Sequence, residues 1–265
     1  MREVRATRYV TPLREGGSLP GLMEADDDGL YVVKFRGAGQ GVKALVAEVI
    51  AGEVVRALGL PTPELVTIEV DPLLGRSEPD GEVHDLLDAS PGVNLGVDFL
   101  PGSFDANLLL PPTPDRDLAG AVVWADALLT NVDRTLKNPN LLLYGKKLWL
   151  IDHGAALYFH HFSDNAAAYR ERAQAPFPQV RDHIMLPFTD AEGLRAADAR
   201  LARLLPPEKL AAIVSEVPDA WLADAGASFP HASAHRAAYV EYLTRRLESP
   251  RPFVEEAIDA RAGRG

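Results

Sequence analysis

The sequence predicts an α+β fold in two lobes, a β-rich N-lobe over residues 1–102 and a helical C-lobe over 103–265. Three observations predict it: short strand-like runs separated by turns through the first hundred residues, one strong helical pattern among them, and helical periodicity through the last third. The strand-like runs are Val4–Val10, Leu30–Phe35, Leu65–Val70 and Leu95–Phe99, with a glycine-containing stretch after the first. The helical pattern runs from Gly41 to Leu58 and is stopped by Gly59, with Pro61 and Pro63 beyond, the usual glycine-then-proline exit. Residues Asp71–Pro91, rich in Gly, Pro, Asp and Glu, read as a loop or insertion. From Asp115 a helix runs to about Leu129, followed by a loop, two short strands around Gly145 and Lys146, an aromatic, proline-bearing stretch, and helices from Asp190 to Ala262.

The 265 residues include 27 Lys and Arg against 38 Asp and Glu, a net charge of −11, with 47% apolar residues and no cysteine. Length and apolar content suffice for a core without staples. The missing thiols exclude disulfides, thiolate zinc sites, iron–sulfur clusters and cysteine nucleophiles together. An acidic surface repels polyanions, so general nucleic-acid binding is not expected. No run has the length of a signal-peptide core or a membrane span, so the expectation is a cytoplasmic protein without membrane insertion.

Two charges stand where charge is costly. Glu48 has Ala44, Leu45, Ala51 and Gly52 as its helical neighbours, so its face should be buried, whereas Glu53 can pair with Arg56 at the solvent boundary. Lys34 ends the alternating strand and shares a face with Leu30 and Val32 rather than with the outward positions. A buried carboxylate requires a cation, and Lys34 is the best candidate, although a snorkelling lysine and a tolerated helix acid would look alike. Between the first strands lies Arg14-Glu15-Gly16-Gly17-Ser18-Leu19-Pro20-Gly21, whose amides could wrap phosphate; a hairpin turn would look much the same.

The densest polar segment is Asn131-Val132-Asp133-Arg134-Thr135-Leu136-Lys137-Asn138-Pro139-Asn140. If the strands beyond it pair about Gly145 and Lys146, facing positions sum to 291, which sets Asp152 opposite Pro139 and His153 opposite Asn138. Asn138 and Asp152 then meet at the open end as hard oxygen donors suited to Mg²⁺, with Asp133 a few residues off and free for a nucleophile. The same residues could instead cap turns and the next helix. His153, His160, His161 and His183 lack a metal-binding spacing.

A Lys–Glu pair in a β lobe, a D-x-x-x-x-N loop after a helix, and an Asp-x-Gly closing the next hairpin are, in this order, the parts of a protein-kinase-like phosphotransferase. The loop N-x-D-R-T-L-K-N resembles the N-x-D-x-H-x-K-N loop of HipA-like serine/threonine kinases, and Arg56-Ala57-Leu58-Gly59-Leu60-Pro61 resembles that family's A-L-G-L-P helix exit. Asp152-His153-Gly154 is similar to the I-D-H-G or I-D-F-G of phosphatidylinositol kinases, and Val97 to Gly102 resembles a kinase hinge. The resemblance implies a two-lobed protein-kinase-like fold and an ATP- and Mg²⁺-dependent enzyme transferring the γ-phosphate to a hydroxyl of an unidentified acceptor, a protein. It implies that Lys34 contacts the α and β phosphates and is held by Glu48, that Gly16, Gly17 and Ser18, within Gly16–Gly21, cover the triphosphate, and that backbone groups of Asp98 and Leu100 bond the adenine edge. Asp133 would accept the acceptor's proton, Lys137 neutralise the transferring phosphate, and Asn138 and Asp152 hold magnesium. Thr135 departs from the pattern, standing where the family loop carries histidine. A small-molecule or lipid-headgroup kinase and a catalytically silent nucleotide-binding module are the competing expectations.

Overall fold

The computed structural model describes residues 1–13, 19–75, 80–163, 165–225 and 228–263. The chain forms two compact units, one of Met1–Leu45 with Pro63–Gly102, the other of Val46–Thr62 with Ser103–Gly265. The division falls within the first helix, α1 (Gly41–Ala57), so the turn that carries Glu48 belongs to the second unit.

The first unit is built on a closed barrel of β1 (Arg2–Pro12), β2 (Gly21–Ala25), β3 (Leu30–Lys34), β4 (Leu65–Val70) and β5 (Gly92–Asp98), ordered β1-β2-β3-β5-β4. β1 and β4 pair in parallel and the other neighbours antiparallel. β2 is a strand that the sequence did not announce, because it opens on Gly21, which reads as part of the preceding loop. A Cβ there would lie 2.7 Å from the Tyr9 ring and 3.1 Å from that of Phe35, so only glycine lets these rings close over the strand. Gly21 is therefore the first residue of a strand; Gly16, Gly17 and Ser18 lie outside the described residues.

The alternation of β3 has the expected period and the opposite sense. Tyr31, Val33 and Phe35 fill the barrel with Val4, Ala6, Met23, Ala25, Val66, Ile68 and Val70, while Leu30, Val32 and Lys34 are half-buried on the other face. Both faces of this strand are apolar, so periodicity alone could not say which one faces the core. The expected loop Asp71–Pro91 contains a short 3₁₀ turn (Pro72–Gly75) and a helix, α2 (Gly81–Asp88). Asp80 caps α2 by accepting the Glu82 N–H, and Val83 and Leu87, one helical turn apart, join the barrel core. Two apolar anchors among Gly, Asp and Glu gave too weak a periodic signal.

Residues 45–52 of α1 are buried on every side, Glu48 among them, whereas Arg56 bonds Glu53 at 3.2 Å nearer the surface. The helix ends in a Schellman motif: Leu60 N–H donates to Val55 O, Gly59 N–H donates to Arg56 O, and Gly59 takes φ +76°.

The second unit is organised on α3 (Arg116–Leu128), capped by Asp115 and buried from Ala119 to Leu128. Helices α4 (Ala166–Ala173), α5 (Ala191–Leu201), α6 (Pro207–Ser215), α7 (Asp219–Asp224), α8 (Ala232–Leu247) and α9 (Pro252–Ala262) follow. α5 packs closely on α3, since a Cβ on Gly120 would come within 3.0 Å of the Gly193 carbonyl. Trp124 donates its indole N–H to Asp198 at 2.8 Å, and Arg251 holds that carboxylate from α9's start. The buried Arg246 of α8 donates to the carbonyls of Ala127, Leu128, Ala173 and Ala175.

A three-stranded sheet of β6 (Phe104–Asp105), β7 (Leu141–Tyr144) and β8 (Lys147–Leu150) completes the unit. Leu141 faces Leu150 and Tyr144 faces Lys147, pairs that sum to 291 as expected, and Gly145 (φ +58°) with Lys146 (φ +62°) forms the tight turn. The aromatic stretch after it holds 3₁₀ turns at Tyr158–His161, Pro178–Asp182 and Leu186–Phe188, and is packed: Phe159 stacks on Tyr242 at 3.9 Å and His160 Nδ1 lies 2.9 Å from the Tyr239 hydroxyl. Among the described residues no helix is long and apolar enough to cross a membrane.

Candidate active site

After α3 the chain turns sharply at Thr130 (φ +50°) and Asn131 N–H donates back to Asp126 O. The Asn131 side chain fixes the next step from both ends, donating Nδ2 to Asp126 Oδ1 at 2.9 Å and accepting the Asp133 N–H on Oδ1 at 3.2 Å. Residues 135–138 then form a turn in which Thr135 N–H donates to Asn138 O and Asn138 N–H donates to Thr135 Oγ1. That turn folds Asn138 onto Asp133: Asn138 Nδ2 donates to Asp133 Oδ2 at 2.6 Å, and Asn140 Nδ2 approaches the same oxygen at 3.4 Å. Asp133 is thus in contact with Asn138 and not set apart from it, because the Thr135–Asn138 turn closes a separation that reads as several residues in sequence.

These contacts determine what the loop presents. The amide nitrogen of Asn138 is committed to Asp133, so its amide oxygen is the atom left to face elsewhere, as is Oδ1 of Asp133. Across the hairpin, Ile151 N–H donates to Asn140 O at 3.1 Å, which extends the register by one pair beyond Leu141 and Leu150. Asp152 is exposed, with φ +53°, and Asn140 has φ +49°, so the chain leaves both strand ends through left-handed residues. The Asn138 amide oxygen and the Asp152 carboxylate are hard oxygen donors of the kind that a magnesium ion completed by water and phosphate takes. Among the described residues no group of three His, Asp or Glu side chains could hold a metal ion. Lys137 is exposed in the same turn.

Beneath the loop lies a buried charge cluster that the sequence reading missed. Asp126 Oδ2 accepts from Arg134 Nε at 2.6 Å and from His183 Nε2 at 2.9 Å, and all three side chains are within 2% of full burial. His183 Nδ1 accepts the Met185 N–H, so the proton of His183 sits on Nε2. Burial alone would push the Asp126 carboxyl up, but the Arg134 charge and the His183 and Arg134 hydrogen bonds outweigh it and hold the carboxyl well below the usual range. Arg134 also donates from Nη1 to Asn140 O and Ile151 O, and Nη2 lies 3.2 Å from His153 Nδ1. The 183–185 segment is bound to the loop itself, by a Thr135–His183 bridge and by Ile184 N–H donating to Arg134 O. A signal for this cluster was present: Asp126 is the one charge in the apolar run Ala119–Leu129, the same anomaly that singled out Glu48.

Of the residues expected at a nucleotide, Glu48 is 1% exposed and Lys34 is half-buried at the end of β3, opposite Leu95. Asp98 N–H is already donated to Glu64 O at 2.9 Å, which leaves Asp98 its carbonyl for any adenine contact. Leu100 is buried, and among the described residues its N–H has no hydrogen-bond partner.

A sequence model of HipA-like kinases matches residues 7–251. The chain belongs to the HipA-like kinase family. It is a kinase, and the N-x-D-R-T-L-K-N loop of this HipA-like kinase is the turn that brings Asp133 and Asn138 together, with the Thr135 hydroxyl closing it. The fold is similar to that of a Helicobacter pylori proinflammatory kinase, CtkA, with a TM-score of 0.53 over 96% of this chain and 94% of that one, at 14% sequence identity. No curated protein matches the sequence.

Proposed function

We propose that this HipA-like kinase is an ATP-dependent protein serine/threonine kinase with the two-lobed arrangement of protein kinases, a β-rich lobe over 1–102 and a helical lobe over 103–265. The observation that carries the proposal is the 2.6 Å contact between Asp133 and Asn138, which sets a carboxylate oxygen beside an amide oxygen at the mouth of the β7–β8 hairpin. Asp133 Oδ1 orients the acceptor hydroxyl and takes its proton. Oδ2 cannot serve that purpose, being held by Asn138 and Asn140. Asn138 Oδ1 and Asp152 are the residues that would hold Mg²⁺. Magnesium–ATP, when bound, supplies the phosphoryl group and the charge that neutralises it. Lys137, exposed in the loop, offsets charge on the transferred group.

Burial of Glu48 within the stretch 45–52 of α1, buried on every side, supports a cationic partner, which we assign to Lys34. The Leu100 N–H, without a partner among the described residues, and the Asp98 carbonyl supply one donor and one acceptor for an adenine edge.

Calorimetric titration with ATP, with and without magnesium, tests the proposal. The wild type should bind the nucleotide more tightly with metal, and Asp152→Ala should weaken that gain by about tenfold or more, the usual effect of disturbing a metal site. Metal dependence that is unchanged in Asp152→Ala would contradict it.

A further inference from the structure

Arg134 follows the proposed base in sequence yet points the other way, into the interior, where its side chain is 0% exposed. One guanidinium there makes contacts on four fronts: Nε to Asp126 of α3, Nη1 to the carbonyls of both Asn140 and Ile151, and Nη2 to His153 Nδ1. Asn140 and Ile151 form the pair immediately outside the last ladder pair of β7 and β8, Leu141 with Leu150. Arg134 therefore clamps the open end of the hairpin at the level from which one strand leads to Asn138 and the other to Asp152. Both exits pass through non-glycine residues with positive φ, Asn140 and Asp152, a conformation that persists only where its surroundings enforce it.

Stability alone does not call for this arrangement, since a buried ion pair is commonly matched or bettered by apolar side chains of the same volume. The planar guanidinium, by contrast, holds Asp126 from Nε, the two carbonyls from Nη1 and His153 from Nη2 at fixed mutual angles, which neither the single nitrogen of a lysine nor an apolar residue does. We propose that Arg134 is a positioning residue that sets the spacing of Asn138 and Asp152, so that the affinity of the site for magnesium depends on a side chain that touches neither metal nor nucleotide. This inference rests on the assignment of Asn138 and Asp152 as the metal-holding pair.

The test is the magnesium concentration that half-saturates ATP binding, measured for the wild type and Arg134→Lys, beside metal-free ATP binding and thermal unfolding. Lysine keeps a cation for Asp126, but its one nitrogen cannot at the same time hold the two carbonyls and His153. The magnesium midpoint should rise by about tenfold or more, as for other residues that orient metal ligands, while metal-free ATP binding stays at the wild-type value. If Arg134→Lys does not fold, Asp126→Asn with Arg134→Gln removes both buried charges together and gives the same readout. A wild-type magnesium midpoint in either folded variant overturns the proposal, as does loss of the fold in both, which would assign Arg134 to stability. Absence of any magnesium dependence in the wild type would instead overturn the metal-site assignment itself.

Discussion

The carboxylate of Asp126 and the guanidinium of Arg134 meet at 2.6 Å with neither side chain exposed, five residues before and three residues after Asn131 in a loop that turns back on its own helix. His183 Nε2 lies 2.9 Å from the same carboxylate oxygen, so one anion ties together α3, the Asp133 loop and the 183–185 segment. The polar loop is therefore held from below by buried charge while Lys137 and Asn138 are exposed.

This pair makes stability depend on acid. Because the folded Asp126 carboxyl is held below its ordinary value, its contribution is complete above the unfolded pKa of about 4 and is lost as pH falls from there toward the folded value. Asp126→Asn should cost roughly 3–5 kcal/mol at neutral pH, since it leaves a buried guanidinium uncompensated. Its unfolding free energy should also fall less steeply than that of the wild type below about pH 4. Urea unfolding of both proteins between neutral and acid pH checks this; parallel pH profiles would contradict it.

How far the site was legible in the sequence depended on the kind of signal. The hairpin register was readable because Gly145-Lys146 fixes the turn and a turn fixes every pair beyond it. The burial of Glu48 was readable because a helix shows its face through its i±3 and i±4 neighbours. The inner face of β3 was not, because Leu30 and Val32 are as apolar as Tyr31 and Val33. The contact of Asp133 with Asn138 depends on the Thr135 turn, a side-chain-to-backbone bond that no periodicity reports. The burial of Arg134 was not legible, since nothing in its neighbours says that Asp126, 8 residues earlier, lies beneath it.

Arg246 provides a second test of how the loop is supported. It closes the carboxyl end of α3 by donating to Ala127 O and Leu128 O, and also holds Ala173 O and Ala175 O, with no carboxylate involved. Arg246→Met should lose roughly 3 kcal/mol or more, because four carbonyls, most of them buried, lose the guanidinium as donor. Arg246→Lys should recover only part of the loss. A Met variant within about 0.5 kcal/mol of wild type in urea, the range of an ordinary surface substitution, would contradict the role given to it.

The assignment of Lys34 to Glu48 predicts coupled rather than additive behaviour. Lys34→Met and Glu48→Gln should each weaken binding of magnesium–ATP, and the double variant should be scarcely weaker than Lys34→Met alone. The effects are read in one calorimetric cycle. Losses that simply add would show that the two side chains act separately.

The central claim is that Asp133 acts on the acceptor and not on the nucleotide, and the most direct measurement is transfer of the γ-phosphate by Asp133→Asn under single-turnover conditions, alongside its magnesium–ATP affinity. Asparagine can still accept the Asn138 amide hydrogen bond, but it cannot take a proton from a hydroxyl. Transfer should fall by roughly a hundredfold or more, the usual contribution of a positioned general base, while magnesium–ATP affinity stays close to that of the wild type. Near-normal transfer by Asp133→Asn to the acceptor that the wild type phosphorylates would contradict the account.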